Sequence, residues 1–357
     1  MRAPSLDPDG WLVVSATEGE PAVTQVEAAT GTDGDIAIEV ERTIERLGRV
    51  RQEIGRVIFG QERVVDETLI TILAGGHVLL VGVPGLAKTL LCQTLGRVLG
   101  MSEKRVQFTP DLMPADILGS EVLDETPGGQ RAFRFIPGPV FAQLLMADEI
   151  NRASPRTQAA LLQAMQERKV TVAGQDHVLP APFHVLATQN PIEQEGTYPL
   201  PEAQLDRFLM QVDVAYPGIE AERRMMIATT TGSGEQPAAV LDGPTLIAMQ
   251  KLVRRMPIGD KLVDLILRLV RAGRPENREL PDIVEQVGWG PGPRASQALM
   301  LAVRVRALLD GRLAPSPEDV LALAGPVLRH RMAVTFAARA QGITIDDVVA
   351  RLCRHVA

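Results

Sequence analysis

The sequence predicts an α/β fold, a parallel sheet core followed by an all-helical C-terminal region. Three observations carry this. Apolar runs at Val78–Val81, Phe141–Met146 and Phe183–Thr188 are separated by helix-patterned stretches, as expected of strands buried on both faces. The first run passes through a Gly- and Pro-rich turn straight into helical spacing at Leu90, Leu91, Thr94, Leu95 and Val98. From about residue 218 the periodicity is helical throughout.

In chain order, residues 1–35 are rich in Ala, Thr, Gly, Pro, Asp and Glu without a sustained period. They are expected to form a disordered tail, with Trp11-Leu12-Val13-Val14 its one apolar cluster. An amphipathic helix is expected over 36–58, from Ile36, Val40, Ile44, Leu47, Val50, Ile54 and Val57. Phe59-Gly60-Gln61 breaks it, and a second helix from Val64 to Leu73 leads into the first strand.

That strand, its turn and the helix behind it would make a phosphate site. Loop N–H groups and the positive helix end point to one place. The cradle is Gly82, Val83, Pro84, Gly85, Leu86, Ala87, Lys88, Thr89 and Leu90. Lys88 would reach the β- and γ-phosphates, and the Thr89 hydroxyl would ligate Mg²⁺. The usual pattern G-x-x-x-x-G-K-[ST] has a second glycine where this chain has Ala87, tolerable at little cost if the backbone there is near-helical.

Arg105–Phe108 reads as a second strand. Glu121-Val122-Leu123 and Ala132–Phe135, across Gly128-Gly129, suggest an inserted hairpin. The run to Met146 is followed by Ala147-Asp148-Glu149. A carboxylate such as Asp148 at the end of a buried strand can hold the water shell of Mg²⁺, and its neighbour Glu149 can polarise an attacking water. A helix is expected over 155–167, then a second hairpin at 169–179. The Phe183–Thr188 strand ends in Gln189-Asn190-Pro191. Asn190 would either orient water beside the phosphate loop or serve an Asn-Pro turn. Arg207 stands between a short helix and the strand-like 209–214, with an ion pair to Asp206 or Glu202 as its plain alternative. In the helical region, Gly290-Pro291-Gly292-Pro293-Arg294 opens the longest segment. Arg294 could reach back to a γ-phosphate or simply decorate a helix start, where a cation opposes the dipole. The expected division is thus a tail at 1–35, an α/β core at 36–217 and a helical lid at 218–357.

Composition narrows the function. The chain has 357 residues with 45% hydrophobic and 23% charged, long enough for two domains. Only 3% are aromatic, which argues against a stacking platform for single strands. The net charge of -7 disfavours nucleic acid as the main partner. Cys92 and Cys353 form no disulfide framework or zinc motif, which fits a reducing cytoplasm. No run is long enough to span a membrane.

Taken in order, Gly82–Thr89, Met146–Arg152, Ala187–Pro191, Glu193–Phe208 and Gly292-Pro293-Arg294 resemble the MoxR family of AAA+ ATPases, in the helix-2-insert clade of P-loop NTPases. The likeness covers roughly 40–355, and the run 187–208 is its most specific part. It implies an Mg²⁺-dependent ATPase using ATP, with Lys88 and Thr89 as phosphate-loop ligands and Thr89 with Asp148 at the metal. It further implies Glu149 as catalytic base, Asn190 as polar sensor, Arg207 as a finger acting on a neighbouring subunit's nucleotide and Arg294 as lid sensor. The hairpins match the inserts of that clade. A finger in trans implies a homo-oligomer, most readily a hexameric ring. The resemblance also implies a chaperone-like role on a client protein complex with a von Willebrand factor A (VWA) domain partner. A magnesium-chelatase-like motor subunit and a DNA-dependent AAA+ motor are the competing readings.

Overall fold

The computed structural model describes residues 33–125, 131–193, 196–230, 236–277 and 280–357. The expected tail lies outside these except for its last three residues, which open the first helix; the Gly128-Gly129 turn also lies outside.

The core begins with α1 (Asp33–Gly55), α2 (Glu62–Leu73), β1 (Val78–Val81), α3 (Lys88–Val98) and β2 (Glu103–Gln107). It continues through α4 (Pro114–Leu118) and the hairpin β3 (Gly119–Glu125) and β4 (Arg131–Pro137) to β5 (Leu144–Asp148) and α5 (Pro155–Glu167). The second hairpin, β6 (Lys169–Val172) and β7 (Gln175–Val178), precedes β8 (His184–Gln189), α6 (Glu202–Leu205) and β9 (Met210–Asp213). The five core strands form one sheet in the order β2-β5-β8-β1-β9, every pairing parallel. The second apolar run, expected at 141–146, pairs later, so that Asp148 is the last residue of its strand.

Alternation along these strands sorts their side chains between two apolar bodies. Val78, Leu80, Leu144, Met146 and Leu186 join α1, α2 and α3 on one face. Leu79, Leu145, Ala147, Val185 and Ala187 join α5 on the other.

The remaining chain forms α7 (Ile219–Thr230), α8 (Gly243–Arg255), α9 (Asp260–Ala272), α10 (Pro281–Gln286), α11 (Pro293–Leu309), α12 (Pro317–Leu328), α13 (Phe336–Ala340) and α14 (Ile345–Val356). The periodicity missed one short antiparallel ladder here, β10 (Val287–Trp289) against β11 (Ala333–Val334). These strands are too short to show a period of two. The lid helices share the apolar body on the first sheet face, where Leu252, Leu269, Leu299 and Leu323 are buried with Leu80 and Leu95.

Both hairpins form as expected. Ala173 and Gly174 turn the second at φ 48° and 81°, the left-handed pair that a two-residue turn requires. Phe135 of the first stacks on His177 of the second, ring centres 3.8 Å apart. No helix among the described residues is long and apolar enough to cross a membrane.

Candidate active site

The sequence candidates lie at two opposite ends of the strands. At the C-terminal ends of the strands, the sequence candidates converge because β8 lies between β1 and β5. Gly82 leaves β1 with its N–H donating to Gln189 O at 3.1 Å. A Cβ at Gly82 would come within 2.7 Å of Val214 O, so only glycine fits there. Gly85 adopts φ +85° with open space around it.

Ala87 departs from expectation. Its φ of 58° and ψ of 20° are left-handed, so the missing second glycine carries a strain of about 1 kcal/mol. Lys88 opens α3 and curls over the loop, Nζ donating to Gly82 O at 2.5 Å. Burial lowers the Lys88 ammonium below the ordinary lysine range, opposed by the charges of Asp148 and Glu149. Thr89 lies in the first turn of α3, half-buried, and Leu90 beside it is exposed.

Asp148 is buried at the end of β5. Its Oδ1 accepts from Thr188 Oγ1 at 2.5 Å, and its Oδ2 accepts from Arg105 at 2.6 Å. Glu149 sits at φ 55°, a strained backbone of the kind that clusters at functional sites. Its N–H donates to Thr188 Oγ1, and its Oε2 accepts from Gln107 Nε2 at 2.7 Å and Arg152 Nη1 at 3.2 Å. Asn190, buried at the end of β8, accepts from Ile192 N at 3.2 Å and donates to Glu193 at 3.3 Å. It therefore makes the local turn while standing next to the phosphate loop.

Arg207 and Arg294 lie elsewhere. Arg207 follows α6, and Leu209 N donates to His77 O, which fixes this turn at the N-terminal end of β1. Arg294, in the first turn of α11, is 3.7 Å from Asp206. Both line a cavity of about 190 Å³ together with Arg168, Arg254, Arg331 and His77. Some 13 Å of strand separates that edge from the phosphate loop. Within one chain Arg294 therefore stands at the opposite end of the strands from the phosphate loop, because α11 packs beside their N-terminal end. The plain alternative for Arg207, an ion pair to Asp206 or Glu202, is not formed. Asp206 pairs with Arg331 and Arg294, and Arg207 has no side-chain hydrogen bond or ion pair among the described residues.

Two buried histidines support this edge. His77 Nδ1 accepts from Val185 N at 3.0 Å, and its Nε2 lies 3.3 Å from Met165 O. His184 Nδ1 faces Gly76 O at 2.8 Å, and Gln250 Nε2 meets its Nε2 at 3.1 Å. Each ring thus has one donor and one acceptor nitrogen, the neutral form. Burial pushes His77 down to about 3 and His184 to about 4.

Sequence reasoning missed Arg105, Gln107, Arg152, Thr188 and Arg331. A signal existed for the first two: Arg105 and Gln107 are two apart on β2, which pairs with β5 so that Gln107 faces Asp148.

A parallel five-stranded sheet with a phosphate loop after its β1, acids at the end of β5 and a helical lid defines a class, the AAA-type P-loop ATPase. Residues 77–210 match the model of the ATPase family associated with various cellular activities (AAA), and residues 282–352 match the AAA lid domain. The chain is an ATP-hydrolysing enzyme of that class. It is 42% identical to Chaperone MoxR1 of Mycobacterium tuberculosis, over 95% of this chain and 88% of that protein. It is 36% identical to Protein MoxR of Methylorubrum extorquens, over 81% of this chain and 88% of that one. A crystal structure of a candidate ATPase from Cytophaga hutchinsonii superposes with a TM-score of 0.84 at 35% identity, covering 91% of this chain and 98% of that one. The chain belongs to the MoxR family of AAA+ ATPases.

Proposed function

We propose that the chain is an Mg²⁺-dependent ring ATPase in which each nucleotide sits between the phosphate loop of one protomer and the arginine pair of the next. The observation that carries this is the separation of the two edges. Lys88, Asp148, Glu149 and Asn190 occupy one end of the sheet; Arg207 and Arg294 occupy the other. No single protomer can bring both sets to one phosphate chain. A closed ring can, and six subunits is the number the family resemblance favours.

The donor set suits Mg²⁺. No group of three His, Cys, Asp or Glu able to hold a metal occurs among the described residues. Asp148 and the Thr89 hydroxyl form the sparse set with which Mg²⁺ is held when phosphates and waters supply the rest. The metal, when bound, neutralises charge on the β- and γ-phosphates. Lys88 holds those phosphates, and the loop N–H groups orient them. Glu149 accepts the proton of the attacking water, with Asn190 orienting that water from the adjacent strand end. Arg207 and Arg294 of the adjoining protomer stabilise charge developing on the γ-phosphoryl oxygens, a contribution that can reach about 10³ in rate. The cycle acts on a client protein complex, with a VWA-domain protein as partner. Supporting that part are the family membership and the chaperone named among the relatives.

The test is Glu149→Gln. Phosphate release is expected to fall by at least about 10², with nucleotide binding kept. Unchanged turnover would remove Glu149 from this role. With ATP, the same variant should retain partner and client in a pull-down.

A further inference from the structure

One fully buried cation stands behind the arginine edge. Arg331, in the turn after α12, has a side chain only 2% exposed. All five of its N–H donors are used. Nε donates to Asp206 Oδ1 at 2.7 Å. Nη1 donates to Leu209 O at 3.0 Å and to Val327 O at 2.6 Å. Nη2 donates to Phe208 O at 2.6 Å and to Asp206 O at 3.3 Å. Four of the five bonds therefore fall on residues 206–209, the turn that carries Arg207. His330 holds the same segment, its Nε2 3.0 Å from Phe208 O, and Arg329 pairs further along with Asp213 of β9 and with Asp346 of α14.

Packing alone does not call for an arginine here. Both members of a buried ion pair can be replaced together by apolar side chains of similar volume at little loss of stability. What an apolar residue cannot do is fix three carbonyls and a carboxylate of one turn in a single geometry. Asp206 is the hinge of that geometry. Its Oδ1 accepts from Arg331 while its Oδ2 faces Arg294 at 3.7 Å. Arg207 and Arg294 repel each other in one cavity; the Glu167 charge opposes this at Arg207, while Asp206 faces Arg294.

We propose that Arg331 is a positioning residue: through Asp206 and the 206–209 backbone it holds Arg207 and Arg294 as one preformed pair, presented by lid and core together to the phosphate chain of an adjacent protomer. This rests on the trans-acting reading above. The lid thereby acts on a neighbour's chemistry through the finger turn, and Arg331 itself touches no substrate.

The test uses rings assembled from two variants of the full chain. Arg331→Lys keeps the charge but cannot reproduce five directed bonds. Alone, it is expected to lose about 10- to 100-fold in kcat, the usual cost of misplacing a reactive group by an ångström, with KM and the nucleotide Kd within about twofold. Mixed with excess Glu149→Gln, whose own pocket is dead but whose Arg207 turn is intact, each Arg331→Lys pocket should recover to within about threefold of the parent. Arg207→Ala mixed with Glu149→Gln is the control. Recovery of Arg207→Ala without recovery of Arg331→Lys, or full kcat in Arg331→Lys alone, overturns the role of Arg331 and leaves the trans reading standing. No loss for Arg207→Ala, or a loss that Glu149→Gln does not recover, overturns the trans reading itself. Should Arg331→Lys not fold, Asp206→Asn takes its place, with the same loss and the same recovery expected; full kcat in Asp206→Asn overturns the proposal.

Discussion

The two edges of the sheet are built from the same residue types and held in opposite ways. At the C-terminal edge the acids share partly exposed partners. Arg105 on Asp148 is 50% exposed, and Arg152 on Glu149 is 37% exposed. Such pairs exchange readily, so a phosphate or metal ion can replace them at modest cost. At the N-terminal edge Arg331 and the two histidines are buried, and every Arg331 N–H is spoken for. The contrast separates ion pairs that solvent can exchange from a buried cation held in one geometry.

The comparison can be broken first by deleting its most fixed member. Arg331→Met should lower unfolding free energy by roughly 3–5 kcal/mol, because the Asp206 carboxylate is left without its buried partner. Arg105→Gln, at the exchangeable edge, should cost under about 1 kcal/mol. Urea melts of the two variants measure both, and equal losses would erase the distinction.

Acid tests the sealed edge next. His77 and His184 bind protons more weakly folded than unfolded, so the unfolded chain takes up protons first as pH falls below about 6.5. Their contribution is complete above that value and is lost as pH drops towards their folded values of about 4 and 3. Between pH 7 and pH 5 each should remove about 2 kcal/mol of stability. Burial raises Glu67, which works in the opposite direction at lower pH. Denaturant melts at both pH values check this, and His184→Gln should roughly halve the difference.

The smallest expected effect lies in the phosphate loop. Ala87→Gly relieves a left-handed alanine but frees the unfolded backbone by a similar amount. Thermal melts should move by less than about 0.5 kcal/mol, the difference of those two terms.

How much of this could be read in advance follows the contiguity of the residues. The phosphate loop and the Asp148-Glu149 pair were legible because one apolar strand and its own turn define each of them. Asn190 was legible as the end of a strand, though its turn bond to Ile192 and its place beside the loop turned out to coexist. The positions of Arg207 and Arg294 were not legible as a pair. Their meeting depends on β9 lying against β1 and on α11 crossing the same edge, contacts between residues nearly ninety positions apart. Arg331 was not legible at all, since nothing near it in sequence announces the turn it grips. Ala87 misled for a local reason: residue type alone does not fix the sign of φ.

The strand that follows the Arg207 turn has a second significance. β9 is the last in the sheet and pairs only with β1 among the described residues. A strand so placed offers bare amide and carbonyl groups to any other chain, the usual starting point for unwanted β-association. Here Arg331 takes the Leu209 carbonyl, Arg63 takes the Asp213 carbonyl at 2.6 Å and Arg329 closes on the Asp213 side chain. Core and lid therefore share a guard rail: Arg63 from α2 and Arg329 and Arg331 from the turn after α12 keep the rim of the sheet from recruiting strangers.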